Sequence, residues 1–228
     1  MESKLLVENK QVVVPGQVLA QGMEYLPSNG TYRINEEIRA QQVGLLIIDG
    51  KVLKTIPLVG QYSPQVGDVV VGKIADILMS GWRVDINSPY TAILPLKDAS
   101  NDYIRKGEDL TNYFDLDEHV LLKITQVTSQ NLIDVTVRAP GLRKLEGGRI
   151  VRVNSVKVPR IIGKGGSMVT LLKEMTGCDL AVGQNGLVWM SGEPEQEVLL
   201  NKTIQMIESQ AHIPGLTERV KKFLEEER

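Results

Sequence analysis

Ile161-Ile162-Gly163-Lys164-Gly165-Gly166 is the stretch on which the reading of this chain turns. Glycine takes up positive φ readily and lets another chain approach the backbone closely. A P-loop needs four residues between its glycines and then Lys-Ser/Thr, which this stretch lacks. A dinucleotide fingerprint needs GxGxxG; Gly163-x-Gly165 begins like one, but the positions after it do not fit. What remains is a GxxG loop, Gly163 to Gly166, between a short helix and the start of the next. Helix N-terminal amides offer donors to phosphate oxygens. Lys164 inside the loop and Arg160 one turn earlier add positive charge, and Ile161 and Ile162 anchor it to a core.

The residues around the loop give it a context. Gly148 to Val153 reads as a strand. Met168, Leu171, Leu172 and Met175 fall at i, i+3, i+4 and i+7, predicting a helix that Gly177 stops. Met168 and Met175 then belong to the core, as does Cys178. Strands at Cys178 to Val182 and Leu187 to Met190 flank Asn185-Gly186, a favoured hairpin turn, so Gly183 to Gly186 is read as structural. Pro194, with Glu195 and Glu197 in the first turn, opens a long helix. Leu216, Val220, Phe223 and Leu224 mark a shorter amphipathic one. Pro159 requires that the first helix begin there or be very short.

Upstream the hydrophobic period changes to two. Residues 65–138 read as five strands: Val69 to Ile74, Trp82 to Ile86, Thr91 to Leu94, Val120 to Val127 and Leu132 to Val137. Trp82, Val84 and Ile86 alternate with Arg83 and Asp85; Val120, Leu122 and Ile124 alternate with Lys123 and Thr125. Such alternation puts one face in a core and the other in solvent, so Trp82 is expected inside. A polar insertion, Asp98 to Glu118, separates the third and fourth strands, and five short strands in this spacing suit an OB-type barrel. Residues 1–64 are β-rich without a helix, with turn signals at Ser28-Asn29-Gly30 and Asp49-Gly50. The expected fold is therefore multidomain, mainly β plus α+β. A β-rich domain spans 1–64, a five-stranded barrel 65–140, an α+β domain 146–212 and a helical tail 213–228. Residues 139–147 are read as a hinge or short linker.

The net charge is −2 over 228 residues, which argues mildly against a general polyanion binder. Its distribution argues the other way. Arg138 to Gly166 holds eight basic residues and one acid, a net of +7, whereas Asp98 to Glu118 holds seven acids and two bases (Arg105 and Lys106), a net of −5. The acidic stretch is read as solvated or partner-facing. A single cysteine rules out an internal disulfide and fits a reducing, cytoplasmic compartment. The start, Met1-Glu2-Ser3-Lys4, lacks an apolar leader core, and no run is long enough to span a membrane. His119 and His212 belong to no ligand-spaced cluster. Asp115, Asp117 and Glu118 lack matching carboxylates on a nearby strand for a two-metal nuclease. No catalytic residue, metal or cofactor is expected.

Taken together, residues 148–210 resemble a type I K-homology (KH) domain, and residues 65–138 resemble an S1-type OB domain. The order of an N-terminal β domain, S1 and then KH resembles the RNA-binding cap subunits of the archaeal exosome. Gly183-Gln184-Asn185-Gly186 matches their GxNG element and Val14-Pro15-Gly16 their N-terminal region. The resemblance covers nearly the whole chain. It implies three copies on a hexameric ring of RNase PH-like subunits, capturing single-stranded RNA and feeding its 3′ end to phosphorolytic sites held by the ring. The RNA-binding candidates are Arg160, Gly163, Lys164, Gly165 and Gly166 in the KH domain, with Arg83, Lys123 and Arg138 on the barrel. The barrel departs from the family pattern: where S1 domains often present stacking aromatics on the second strand, Arg83 is the solvent-facing residue. Tyr90 is either a substitute platform or a tyrosine covering the barrel rim. A free-standing RNA-binding factor and a metal-dependent nuclease are the competing functional classes.

Overall fold

The structure, a computed structural model, describes residues 3–58, 60–100, 102, 104–105, 107–211, 213 and 215–227. Met1, Glu2, Lys106 and His212, used in the readings above, lie outside these. The chain divides into two compact units, Met1–Gly60 and Gln61–Arg228.

The first unit is built of short strands: β1 (Lys4–Leu5), β2 (Val12–Val13), β3 (Val18–Gln21), β4 (Leu26–Pro27), β5 (Thr31–Ile34), β6 (Glu37–Ala40), β7 (Gly44–Asp49) and β8 (Val52–Pro57). They form two four-stranded sheets, ordered β1-β3-β6-β5 and β2-β7-β8-β4. Val13, Leu19, Ile38, Leu46 and Leu53 are buried in one core.

The second unit opens with the barrel: β9 (Val69–Leu78), β10 (Gly81–Asp85), β11 (Thr91–Pro95), α1 (Leu96–Ala99), β12 (His119–Val127), β13 (Ile133–Thr136) and β14 (Lys144–Leu145). The β13–β12 pairing closes β13-β11-β10-β9-β12 into a ring, with β14 added beside β12. The alternating residues fill it: Trp82, Val84, Leu122, Ile124 and Val135 are buried together. The insertion is not wholly solvated. Ile104 and Phe114 join the barrel core, the Trp82 indole donates to the Phe114 carbonyl at 2.8 Å, and Asp117 and Glu118 pair with Lys73 and Lys144 at 2.7 and 2.6 Å.

The rest of the unit runs β15 (Arg149–Arg152), α2 (Val158–Ile162), α3 (Ser167–Thr176), β16 (Asp179–Val182), β17 (Leu187–Ser191), α4 (Pro194–Gln210) and α5 (Leu216–Glu226). The sheet is antiparallel in the order β15-β17-β16, the KH type I arrangement expected. Pro159 falls in the first turn of the five-residue α2, and Gly177 caps α3 in a left-handed conformation. Cys178 is buried, and burial pushes its thiol pKa up.

This sheet is covered on both faces. Val188 and Met190 of β17 turn to the helices and pack with Leu172, Leu200 and Ile204. Leu187 and Trp189, one residue out of phase, turn to the barrel and pack with Val71 and Leu145. Burying a side chain of this size stabilises by ~1.5–3 kcal/mol.

The hairpin between β16 and β17 locks the two modules together. The Asn185 side chain, fully buried, donates to the carbonyls of Val71 and Ile86 at 2.7 and 2.8 Å. It also accepts from the Val71 amide at 3.2 Å. Beside it, the Val69 amide donates to Gln184 Oε1 at 2.6 Å, and the Gln184 amide returns a bond to the Val69 carbonyl at 2.8 Å. Gly183 permits this approach, since a Cβ there would lie 2.6 Å from the Val71 nitrogen.

The segment 139–147 is therefore no hinge. Leu145 and Lys144 pair with His119 and Val120 of β12, the Arg143 carbonyl accepts from Leu121 at 2.9 Å, and the Trp189 indole donates to the Gly147 carbonyl at 2.9 Å. The connector is bonded to both modules it joins.

Asn185→Ala removes three hydrogen bonds and leaves buried backbone groups unpaired, at ~1–3 kcal/mol each. A loss of about 3 kcal/mol or more in urea unfolding, followed by tryptophan fluorescence, is expected. Asn185→Asp should rescue little, because a carboxylate has no N–H for the two carbonyls.

Candidate nucleic-acid interface

The loop between α2 and α3 is held in shape by its first glycine and left open at the others. Gly163 has φ +73°, and a Cβ there would meet the Met168 backbone nitrogen at 2.7 Å. Gly165 and Gly166 also have positive φ, but a Cβ at either would meet nothing within 4 Å. Ile161 and Met168, on either side, are buried in the helix-side core and pin the loop. Arg160, Lys164 and Gly165 are exposed. No side chain caps the first turn of α3; the Gly166 and Ser167 amides bond within the loop, to the Gly163 and Lys164 carbonyls, so what the loop offers a sugar-phosphate chain is close approach to its backbone beside Lys164.

The basic stretch separates into two groups. Arg143 pairs with Asp179 and lies over the Trp189 ring, 5.7 Å from its centroid. Lys144 pairs with Glu118 at 2.6 Å, and Arg149 with Glu197 at 3.7 Å. Partial burial works to raise the Asp179 pKa, but Lys173 at 3.0 Å, the Leu180 amide and Arg143 outweigh it and hold the carboxyl below its ordinary value. These cations serve the fold. Arg152, Lys157, Arg160 and Lys164 have no carboxylate partner among the described residues. Of these, Arg160 precedes the loop by one turn and Lys164 lies in it, whereas Arg152 is on β15, the sheet edge opposite to β16.

The barrel candidates do not form one patch. Arg83 stands opposite Asp76 on β9 and pairs with it at 3.4 Å. Lys123 stands opposite Val69, seven residues back along β9, or about 23 Å of strand. Arg138 bonds the Lys97 carbonyl at 2.6 Å. Trp82 is fully buried with its ring edge-on to Phe114, so it offers no face to a base. Tyr90 is exposed in the β10–β11 loop. Among the described residues no cluster of three or more His, Cys, Asp or Glu side chains is placed to hold a metal, and no helix is long and apolar enough to cross a membrane.

The element missed from sequence is the docking role of Gln184 and Asn185. Asn-Gly is sufficient for a hairpin, which hid it. The available signal was Leu187-Val188-Trp189-Met190, an unbroken apolar run of the kind found in strands covered on both faces.

An S1-type barrel locked to a type I KH module with an open, cation-flanked GxxG loop defines a protein of the RNA-binding class. Two family models match: the S1 domain of RRP4 over residues 61–109 and a KH domain over residues 148–196. The exosome complex component Rrp4 of Methanothermobacter thermautotrophicus is 43% identical over 97% of this chain and 70% of its own length. That of Methanothermus fervidus is 39% identical over 96% and 97%, and that of Pyrococcus furiosus 40% over 97% and 85%. A crystal structure of a protein provisionally described as an exosome complex RNA-binding protein is 34% identical. It covers 74% of this chain and 98% of its own, with a TM-score of 0.65. The chain belongs to the Rrp4 family of exosome complex components.

The loop geometry separates its glycines by experiment. Gly163→Ala is expected to lower the thermal stability of the unit clearly, through backbone collision. Gly165→Ala should cost only the ~1–2 kcal/mol of a left-handed non-glycine residue.

Proposed function

We propose that this chain is a non-catalytic RNA-binding cap of the exosome. It captures single-stranded RNA in the cytoplasm and presents the 3′ end to a ring of RNase PH-like subunits that performs the phosphorolysis. The observation that carries this reading is the exposed GxxG loop flanked by unpaired cations, on a module rigidly joined to an S1 barrel. Arg160 and Lys164, with the close backbone approach that Gly165 and Gly166 permit, hold the sugar-phosphate chain. Arg83, Lys123 and Arg138 add contacts on the barrel. Recognition through phosphates predicts weak sequence preference and strong salt dependence.

The ring contact falls to the N-terminal unit. On the outer face of the β2-β7-β8 sheet, Val12, Leu45 and Ile56 form a cross-strand row. The same register carried two residues on sets Val14, Val43 and Leu58 in a second row, with the Leu58 amide bonded to the Val43 carbonyl. All but Leu45 are exposed. A contiguous apolar patch of this kind marks an interaction surface, and a ring subunit is its occupant in this reading. Three copies on a hexameric ring complete the assembly.

Gly165→Asp brings a carboxylate to where phosphate should lie, on a Cβ that meets nothing within 4 Å. RNA affinity should fall at least several-fold while stability drops only by the ~1–2 kcal/mol of a left-handed non-glycine residue, read by fluorescence anisotropy and calorimetry. Undiminished affinity would move the main RNA site to the barrel. Separately, Val43→Asp with Ile56→Asp should abolish the trimer-on-hexamer species in native mass spectrometry of the reconstituted complex, while RNA binding by the free chain persists. Absence of that species with the unaltered chain would favour a free-standing RNA-binding factor.

A further inference from the structure

The clamp at Asn185 also determines what the barrel places beside β16. This strand is an edge of its sheet, and α2 and α3, which carry the GxxG loop between them, both pack against it. Gly183 donates its amide to the Leu187 carbonyl. By antiparallel alternation, the amide and carbonyl of Val182 then point away from β17, to the free edge.

The barrel wall beside β16 is β9, which contacts it, with β9's partner β12 next to it. Leu121 faces outward on β12 and is packed against the cluster of Ala181, Leu187 and Trp189. Lys123 is the next residue on the same outward face, and it is exposed. Its cross-strand partner, Val69, is bonded through both amide and carbonyl to Gln184, which follows the β16 edge within two residues. Lys123 therefore stands on the barrel alongside the open edge of β16. Other lysines on this side are neutralised: Lys73 by Asp117 at 2.7 Å and Lys144 by Glu118 at 2.6 Å. Lys123 has no carboxylate partner among the described residues.

We propose that Lys123, a barrel residue, completes the RNA site of the KH module. A single strand leaving the GxxG loop passes along the edge of β16, and Lys123 holds one of its phosphates. The hairpin 183–186 is drawn into the barrel, so the barrel itself supplies the wall at that end. The two modules then bind one continuous segment of RNA, not two separate ones. This inference rests on the GxxG loop being an RNA contact.

The test uses the full chain and an oligoadenylate of about 12 nucleotides, titrated between about 50 and 200 mM salt. Lys123→Gln is compared with Gly165→Asp and with Lys97→Gln. Lys97 lies on α1, beyond the far end of β11 from the 86–90 loop that meets Asn185. Loss of one phosphate contact should flatten the slope of log K against log salt by about 0.7, which is ~2.6-fold less change across that range. That flattening is expected for Lys123→Gln and not for Lys97→Gln. If Gly165→Asp weakens binding while Lys123→Gln changes nothing, or if both lysine variants act alike, the composite site is wrong and the loop reading stands. If Gly165→Asp also changes nothing, the loop reading itself fails.

Discussion

One buried amide holds the RNA-binding half of this protein together. Asn185 enters the barrel wall and satisfies groups of Val71 and Ile86 that would otherwise face a dry interface. A primary amide of this size gives two N–H donors and one acceptor, the set these three bonds require, so neither Asp nor Leu can replace it. The orientation of the KH module follows from that match. Gly183 and the Gln184–Val69 pair fix the approach of the hairpin, and Leu187 and Trp189 then land on Val71 and Leu145.

Rigidity here has an electrostatic consequence. Arg143, Lys144 and Arg149 are drawn into ion pairs with Asp179, Glu118 and Glu197. Glu118 of the insertion and two acids of the KH module thus neutralise cations near the junction, while Arg160 and Lys164 at the GxxG loop keep their charge. A protein of net charge −2 can still attract a polyanion when its positive charge is sorted in this way. Binding to a preformed surface also avoids the entropic cost of ordering two tethered modules.

Much of the fold was legible because periodicity is a local signal. Trp82, Val84, Ile86 and the β12 alternation identified the barrel's inner face, and the helix of Met168, Leu172 and Met175 was read from spacing alone. The loop was legible because few backbones require glycine at Gly163 and tolerate it at Gly165 and Gly166. What escaped was contact between modules. Nothing local in Ala139 to Gly147 distinguishes a linker from a strand, and β14 exists only because β12 offers it an edge. The acidic insertion likewise looked solvated, since the partners of Asp117 and Glu118 lie on other strands. The spread of Arg83, Lys123 and Arg138 around the barrel depended on register, which alternation does not supply.

The three-layer build of helices, sheet and barrel wall bears on how such a chain can be inherited. A fragment beginning near residue 146 would carry Ala181, Leu187 and Trp189 bare, and a barrel ending near 140 would lose the strand that shelters its flank. Either half taken alone would expose surface that the other now covers, so a substitution on one side of the seam has to fit the side chains facing it.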